Sequence, residues 1–135
     1  MTDIAFKLYK SYVVWEEVFN NGVRTAPQTV FEVWKGRGDG SWKKTLKNIT
    51  AAKYRAILAA PWYLNYISYG VDWDTYYKIN PTDFNATEEE KKLVIGGSAA
   101  VWGEYVDGTN LLARTWPRAS AVVIAVINHS LMKNL

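Results

Sequence analysis

The 135-residue chain has no cysteine and one histidine, His129. Those two shortages exclude thiolate zinc sites, cysteine nucleophiles and Ser-His-Asp triads, and His129 is read as a solvent-exposed tail residue. The redox compartment stays open, because a chain without cysteine is compatible with any. Nowhere do about 18 apolar residues run together, so no membrane span is expected. The start, Met1-Thr2-Asp3-Ile4-Ala5-Phe6-Lys7, has no apolar stretch of the signal-peptide kind. Charge of one sign is also scarce: 16 basic and 13 acidic residues are interspersed for a net +3. Lys43, Lys44 and Lys47 fall at helical spacing and read as a solvated helix face, so a nucleic-acid partner is not expected.

What is present is apolar and aromatic. A hydrophobic content of 49%, with 15% aromatics, suffices for the core of a single domain spanning residues 1–135. No internal repeat, low-complexity tract or linker divides it. Three acceptor sequons, at Asn48, Asn85 and Asn128, mark candidate glycosylation sites and hint at a secretory origin.

Along the chain, Ser11–Trp15 reads as a strand ending near Trp15, and Thr29–Trp34 as a second ending near Trp34 and stopped by Gly36-Arg37-Gly38-Asp39-Gly40. Ser41 can cap a helix running to about Ala52, with Trp42, Leu46 and Ile49 on one face. Arg55–Ala59 makes a third strand, ended by Pro61. Short helices fit Asp72–Tyr77 and Thr87–Lys92, the latter opening on a capping-box pattern. Leu93–Gly97 is the fourth strand, and a last element begins at Trp116-Pro117, its proline suited to a first helical turn, and runs into Val122–Ile127. This order predicts an α/β fold with a parallel sheet of four strands, half of an eight-stranded barrel.

In a parallel α/β barrel the residues just past the strands touch the ligand. Trp15, Trp34, Trp62, Tyr63 and Trp102 fall at or just beyond predicted strand ends, and Glu104 lies two residues past Trp102. Flat rings beside a carboxylate suit a pyranose, whose C–H faces are apolar and whose fringe is hydroxyls. The same rings suit a core, and Trp34 fits either place.

The segments Lys10–Phe19, Ala60-Pro61-Trp62-Tyr63-Leu64-Asn65, Ile67-Ser68-Tyr69-Gly70, Leu93–Gly97, Trp102-Gly103-Glu104-Tyr105-Val106-Asp107 and Trp116-Pro117-Arg118-Ala119 resemble the second half of the catalytic domain of animal β-N-acetylhexosaminidases, glycoside hydrolase family 20. The resemblance spans about residues 10–122, and 123–135 diverge from the family pattern. It implies about the last four units of a (β/α)8 barrel. It also implies hydrolysis of terminal N-acetylglucosamine or N-acetylgalactosamine from glycoconjugates, in which the substrate's own acetamido oxygen attacks the anomeric carbon, with no cofactor or metal. Carried over by motif, Trp15 and Trp102 wall the sugar, Tyr63 hydrogen-bonds the acetamido carbonyl, and Glu104 binds the outer hydroxyls. Trp62 and Asn65 belong to the same substrate-binding motif. A lysosomal or secreted setting follows from the same resemblance. A half barrel leaves two open strand edges and an uncovered apolar face, so self-association or docking with hexosaminidase chains is expected.

Departures shape the expectation. The family's catalytic Asp-Glu pair lies upstream of everything that aligns, and no Asp-Glu dipeptide occurs in the chain. Turnover by these residues alone is therefore not expected, and the chain reads as a truncated product of a hexosaminidase gene; the alternative is a non-catalytic N-acetylhexosamine-binding or hexosaminidase-interacting fragment. Glu16-Glu17 and Glu88-Glu89-Glu90 read as exposed carboxylates. Tyr66 stands beside Asn65 where an arginine accompanies acidic substrates in the family, and it offers no cation.

Overall fold

The computed structural model describes residues 2–8 and 10–131. Four parallel strands, β1 (Val13–Trp15), β2 (Val30–Val33), β3 (Arg55–Leu58) and β4 (Val94–Gly97), pair in chain order β1-β2-β3-β4. Each pair of strands is separated by helical chain, the crossover that parallel neighbours require. Between them lie α2 (Glu17–Asn20), α3 (Trp42–Ala51), and α4 (Trp73–Tyr77) with α5 (Glu88–Lys91). A first helix, α1 (Thr2–Lys7), precedes the sheet, and α6 (Leu111–Thr115) and α7 (Arg118–Leu131) follow it.

The core lies between the sheet and its helices. Along β2 the side chains alternate, so Phe31 and Val33 are fully buried against the helices while Glu32 points to the other face. Phe31 packs edge-on against Phe19 at 5.5 Å and Tyr54 at 5.1 Å between ring centroids. Trp42, Leu46 and Ile49 of α3 are buried together, as their spacing predicts. At α5, Thr87 and Glu90 form the reciprocal capping box.

The β-branched run Val122–Ile127 is helical, with Val122 and Ala125 buried and Val123, Ile124 and Ile127 exposed. Packing of its buried stripe outweighs the β-propensity of its residues. Helices α1, α2 and α6 were not anticipated. Among the described residues no helix is long and apolar enough to cross a membrane.

One turn is set by a single ion pair. Trp116-Pro117 is a cis peptide, and after it Arg118 places its Nε 2.7 Å from Asp72 Oδ1. Arg118 Nη1 also donates to the carbonyls of Ala113 and Arg114, so one guanidinium joins α4, α6 and the start of α7.

Candidate functional site

Two stretches after β3 and β4 lie side by side. Ala100 N–H donates to the Trp62 carbonyl at 3.0 Å, and Leu64 N–H donates to the Ala100 carbonyl at 2.8 Å. A parallel bridge pairs Tyr63 with Ala100. The extended chain alternates its side chains, so Trp62 and Leu64 enter the core while Tyr63 and Asn65 face a cavity of about 680 Å³. That volume is in the usual range for small-molecule sites, roughly 300–1,000 Å³.

The cavity is lined by Trp15 from β1, Glu32 and Trp34 from the end of β2, Tyr63, Asn65 and Tyr66 after β3, and Trp102, Glu104 and Tyr105 after β4. Trp15 and Trp102 are 58% and 51% exposed, broad indole surfaces open to a ligand. Trp15 and Trp34 meet at 6.3 Å between centroids with planes tilted by 53°. The candidates Trp15, Tyr63, Asn65, Trp102 and Glu104 are thus brought together. Trp62 is not among them: it is completely buried, and its indole N–H donates to the Tyr76 carbonyl at 3.2 Å. One step of alternation separates it from the cavity, so the substrate-binding expectation for Trp62 is corrected to a core role.

Polar groups in the cavity are arranged for hydroxyl partners. Asn65 Nδ2 donates to Glu104 Oε2 at 3.4 Å, while Asn65 Oδ1 is buried with no hydrogen-bond partner among the described residues. An unsatisfied acceptor of this kind costs about 1–3 kcal/mol, which a ligand hydroxyl would recover. Burial pushes the Tyr63 phenol up, with Trp102 acting against it, so Tyr63 keeps its O–H as a donor at neutral pH.

Behind the cavity, Glu16 is only 3% exposed and its Oε2 accepts from the backbone N–H groups of Trp34 at 3.2 Å and Lys35 at 3.5 Å. The expectation of an exposed carboxylate is wrong here, because the turn into α2 folds Glu16 under the end of β2. Burial raises its pKa. Glu17 accepts from the Trp34 indole N–H at 3.0 Å and pairs with Lys35 at 2.8 Å. Slight burial is the largest single effect on Glu17 and acts upward, but the bonds from Lys35 and Trp34 together carry its pKa below the usual range. The pair therefore holds the strap that carries Trp34. Glu32, Trp34 and Tyr66 complete the lining; Glu32 was missed, and the period of two in a strand is the signal that could have set Glu32 and Trp34 on the face opposite Phe31 and Val33.

Residues 1–125 match the family described as glycosyl hydrolase family 20, catalytic domain. The chain belongs to that family. It is 47% identical over 135 residues to the mouse (Mus musculus) β-hexosaminidase subunit alpha, covering all of this chain and 26% of that protein. It is 52% identical over 120 residues to the human (Homo sapiens) β-hexosaminidase subunit beta, covering 89% of this chain and 21% of the other. The chain thus spans about a quarter of the length of the curated relatives it matches. Among solved structures, it superposes on a Flavobacterium johnsoniae chitobiase with TM-score 0.75 at 18% identity, covering 98% of this chain and 21% of that one. It superposes on a Vibrio harveyi family 20 exo-β-N-acetylglucosaminidase, solved in complex with N-acetylglucosamine, with TM-score 0.72 at 23% identity, covering 93% and 21%. The fold is accordingly a family 20 one: a four-stranded parallel arc of the (β/α)8 barrel, with the cavity past the C-terminal ends of its strands.

Proposed function

We propose that this family 20 chain supplies the sugar-binding wall of a β-N-acetylhexosaminidase site, taking the terminal N-acetylglucosamine or N-acetylgalactosamine of a glycoconjugate. The observation that carries the reading is the hydrogen-bonded pairing of the two motif stretches, which sets Tyr63, Asn65, Trp102 and Glu104 in one cavity with Trp15. In this reading the indoles of Trp15 and Trp102 pack on the acetamide and ring, and Tyr63 O–H donates to the acetamido carbonyl oxygen. Glu104 and the unpartnered Asn65 carbonyl accept from sugar hydroxyls.

The chemistry is substrate-assisted. The acetamido oxygen attacks the anomeric carbon as the bond to the leaving oxygen breaks, and a general acid protonates that oxygen. Water then opens the cyclic intermediate. Held by Tyr63 and enclosed by indoles, the acetamide stays aligned with the anomeric carbon, the positioning that such an intramolecular attack needs. In the family that acid is the glutamic acid of an adjacent Asp-Glu pair, a dipeptide these residues do not contain. General acid catalysis contributes about 10²–10⁴-fold, so the chain alone binds and does not turn over at a useful rate.

The setting goes with the family: a lysosomal or secreted glycoprotein, with the surface residues Asn48, Asn85 and Asn128 as candidate glycan acceptors. Exposed Val13 and Ile95, on the two outer strands, support self-association or docking with hexosaminidase chains. The test is a titration of tryptophan fluorescence with N-acetylglucosamine-derived thiazoline, a mimic of the cyclised intermediate. Saturable quenching that is lost in Tyr63→Phe and Glu104→Gln supports the reading, and a flat response from folded protein refutes it.

A further inference from the structure

We propose that Glu17 is a positioning residue of the sugar site: by accepting the Trp34 indole N–H it fixes the face of Trp15 on which the sugar's acetamide packs. The inference rests on the sugar-binding reading above and adds a residue that the ligand does not touch.

Trp15 and Trp34 stand at neighbouring strand ends. Trp15 is opposite Glu32 in the register of β1 and β2, and Trp34 follows one pleat further on, so both indoles reach the cavity. Trp15 is 58% exposed, and among the described residues its indole N–H has no hydrogen-bond partner. Its own angle is therefore weakly held. The ring that it meets is Trp34, at 6.3 Å between centroids with the planes tilted by 53°, a separation at which aromatic pairs attract.

Trp34, unlike Trp15, is held from three directions. Its indole N–H donates to Glu17 Oε2 at 3.0 Å. Lys35 Nζ lies 5.0 Å from its ring centroid, within reach of a cation–π contact, and 2.8 Å from Glu17 Oε1. Its backbone N–H donates to Glu16 Oε2 at 3.2 Å, and Glu16 N–H in turn donates to the Glu32 carbonyl at 3.0 Å. Glu17 thus receives both the indole and the ammonium beside it, one on each carboxylate oxygen, and both contacts are charge-assisted. Because Glu17 lies outside the cavity lining, its effect on a ligand passes through Trp34 to Trp15. An acetamide packed on an indole loses contact steeply when that ring tilts, since dispersion falls away over a fraction of an ångström.

Isothermal titration calorimetry of the full chain with N-acetylglucosamine-derived thiazoline reads the consequence. Glu17→Ala should bind about fivefold more weakly than wild type, and Trp34→Phe, which keeps a ring but loses the donor, should lose at least as much. The double variant should lose no more than Trp34→Phe alone, since both changes remove the same bond. Glu17→Gln keeps an oxygen for the indole and should hold affinity within about twofold of wild type, a rescue that general loosening of the turn into α2 does not predict. In the indole N–H region of the NMR spectrum, the signal absent from Trp34→Phe should move in Glu17→Ala and stay near its wild-type position in Glu17→Gln. Wild-type affinity in Glu17→Ala or Trp34→Phe, additive losses in the double variant, or equal losses in Glu17→Gln and Glu17→Ala overturn the positioning role while leaving the sugar site standing. Should Glu17→Ala fail to fold, Trp34→Phe and Glu17→Gln carry the same decision. No binding by the wild-type chain overturns the sugar site and the positioning role together.

Discussion

Replacing Arg118 with methionine removes one half of a nearly buried ion pair. The side chains of Arg118 and Asp72 are 9% and 15% exposed, and Nε lies 2.7 Å from Oδ1. Methionine fills much of the same volume, so the loss is mainly electrostatic. Asp72 would keep the hydroxyl of Ser68 as a donor but would carry its charge without a cation, and the carbonyls of Ala113 and Arg114 would lose the bonds from Nη1. Breaking one side of a buried pair costs about 3–5 kcal/mol. Because Ser68 and residual solvent still serve Asp72, we expect about 3 kcal/mol, a large part of the 5–15 kcal/mol stability usual for a domain. Urea unfolding followed by tryptophan fluorescence and far-ultraviolet circular dichroism measures it. In the double variant with Asp72→Asn, the charge left behind is gone, so the two losses should fall short of additivity by about 1–3 kcal/mol. A single-variant loss below about 1 kcal/mol, or strict additivity, would refute the assignment of this pair as the clamp between α4, α6 and α7.

Other consequences are more local. A Cβ on Gly97 would lie 2.3 Å from Trp62 Cζ3 and 2.7 Å from Val126 Cγ2, so Gly97→Ala should cost about 2–3 kcal/mol in the same unfolding assay. At Gly96 a Cβ meets nothing within 4 Å, and Gly96→Ala should stay within about 0.5 kcal/mol. Thr87→Ala removes the capping box of α5 and should cost about 1 kcal/mol in thermal or urea unfolding. Glu16 has a raised folded-state pKa, so the folded chain binds its proton more tightly than the unfolded one. The stability it contributes is fully present below its ordinary value of 4.5 and is lost as pH rises through the raised one. Glu16→Gln keeps an oxygen to accept from Trp34 and Lys35 and removes the titration. Wild-type stability relative to this variant should therefore fall with rising pH above about 4.5; a difference that rises or stays flat counts against the buried carboxylate.

Period and punctuation made the sheet legible: each strand is a short, mainly apolar run closed by a glycine, proline or aromatic signal, and all four lie within a residue or two of expectation. Helix α3 was legible because Trp42, Leu46 and Ile49 repeat at helical spacing. Helices α2 and α6, of 4 and 5 residues, are too short to carry such a repeat, and packing rather than propensity holds them. At the site, aromatic residues past strand ends marked the cavity, but sequence alone could not divide Trp62 from Tyr63. Their separation depends on the phase of an extended segment, which the bonds to Ala100 fix. Glu16 shows the same limit: its burial comes from the backbone N–H groups of Trp34 and Lys35, many residues downstream. The contact of Arg118, at the start of α7, with Asp72 likewise joins distant parts of the chain, and no local pattern announces it.

Saturation-transfer NMR of N-acetylglucosamine with this chain tests the central claim most directly, since the acetamide methyl is the group that Trp15 and Trp102 should enclose. The account predicts that this methyl receives the greatest saturation of any ligand proton, and that the effect drops sharply in Trp102→Ala and in Tyr63→Phe. Saturation spread evenly over the sugar, or unchanged in both variants, would contradict it.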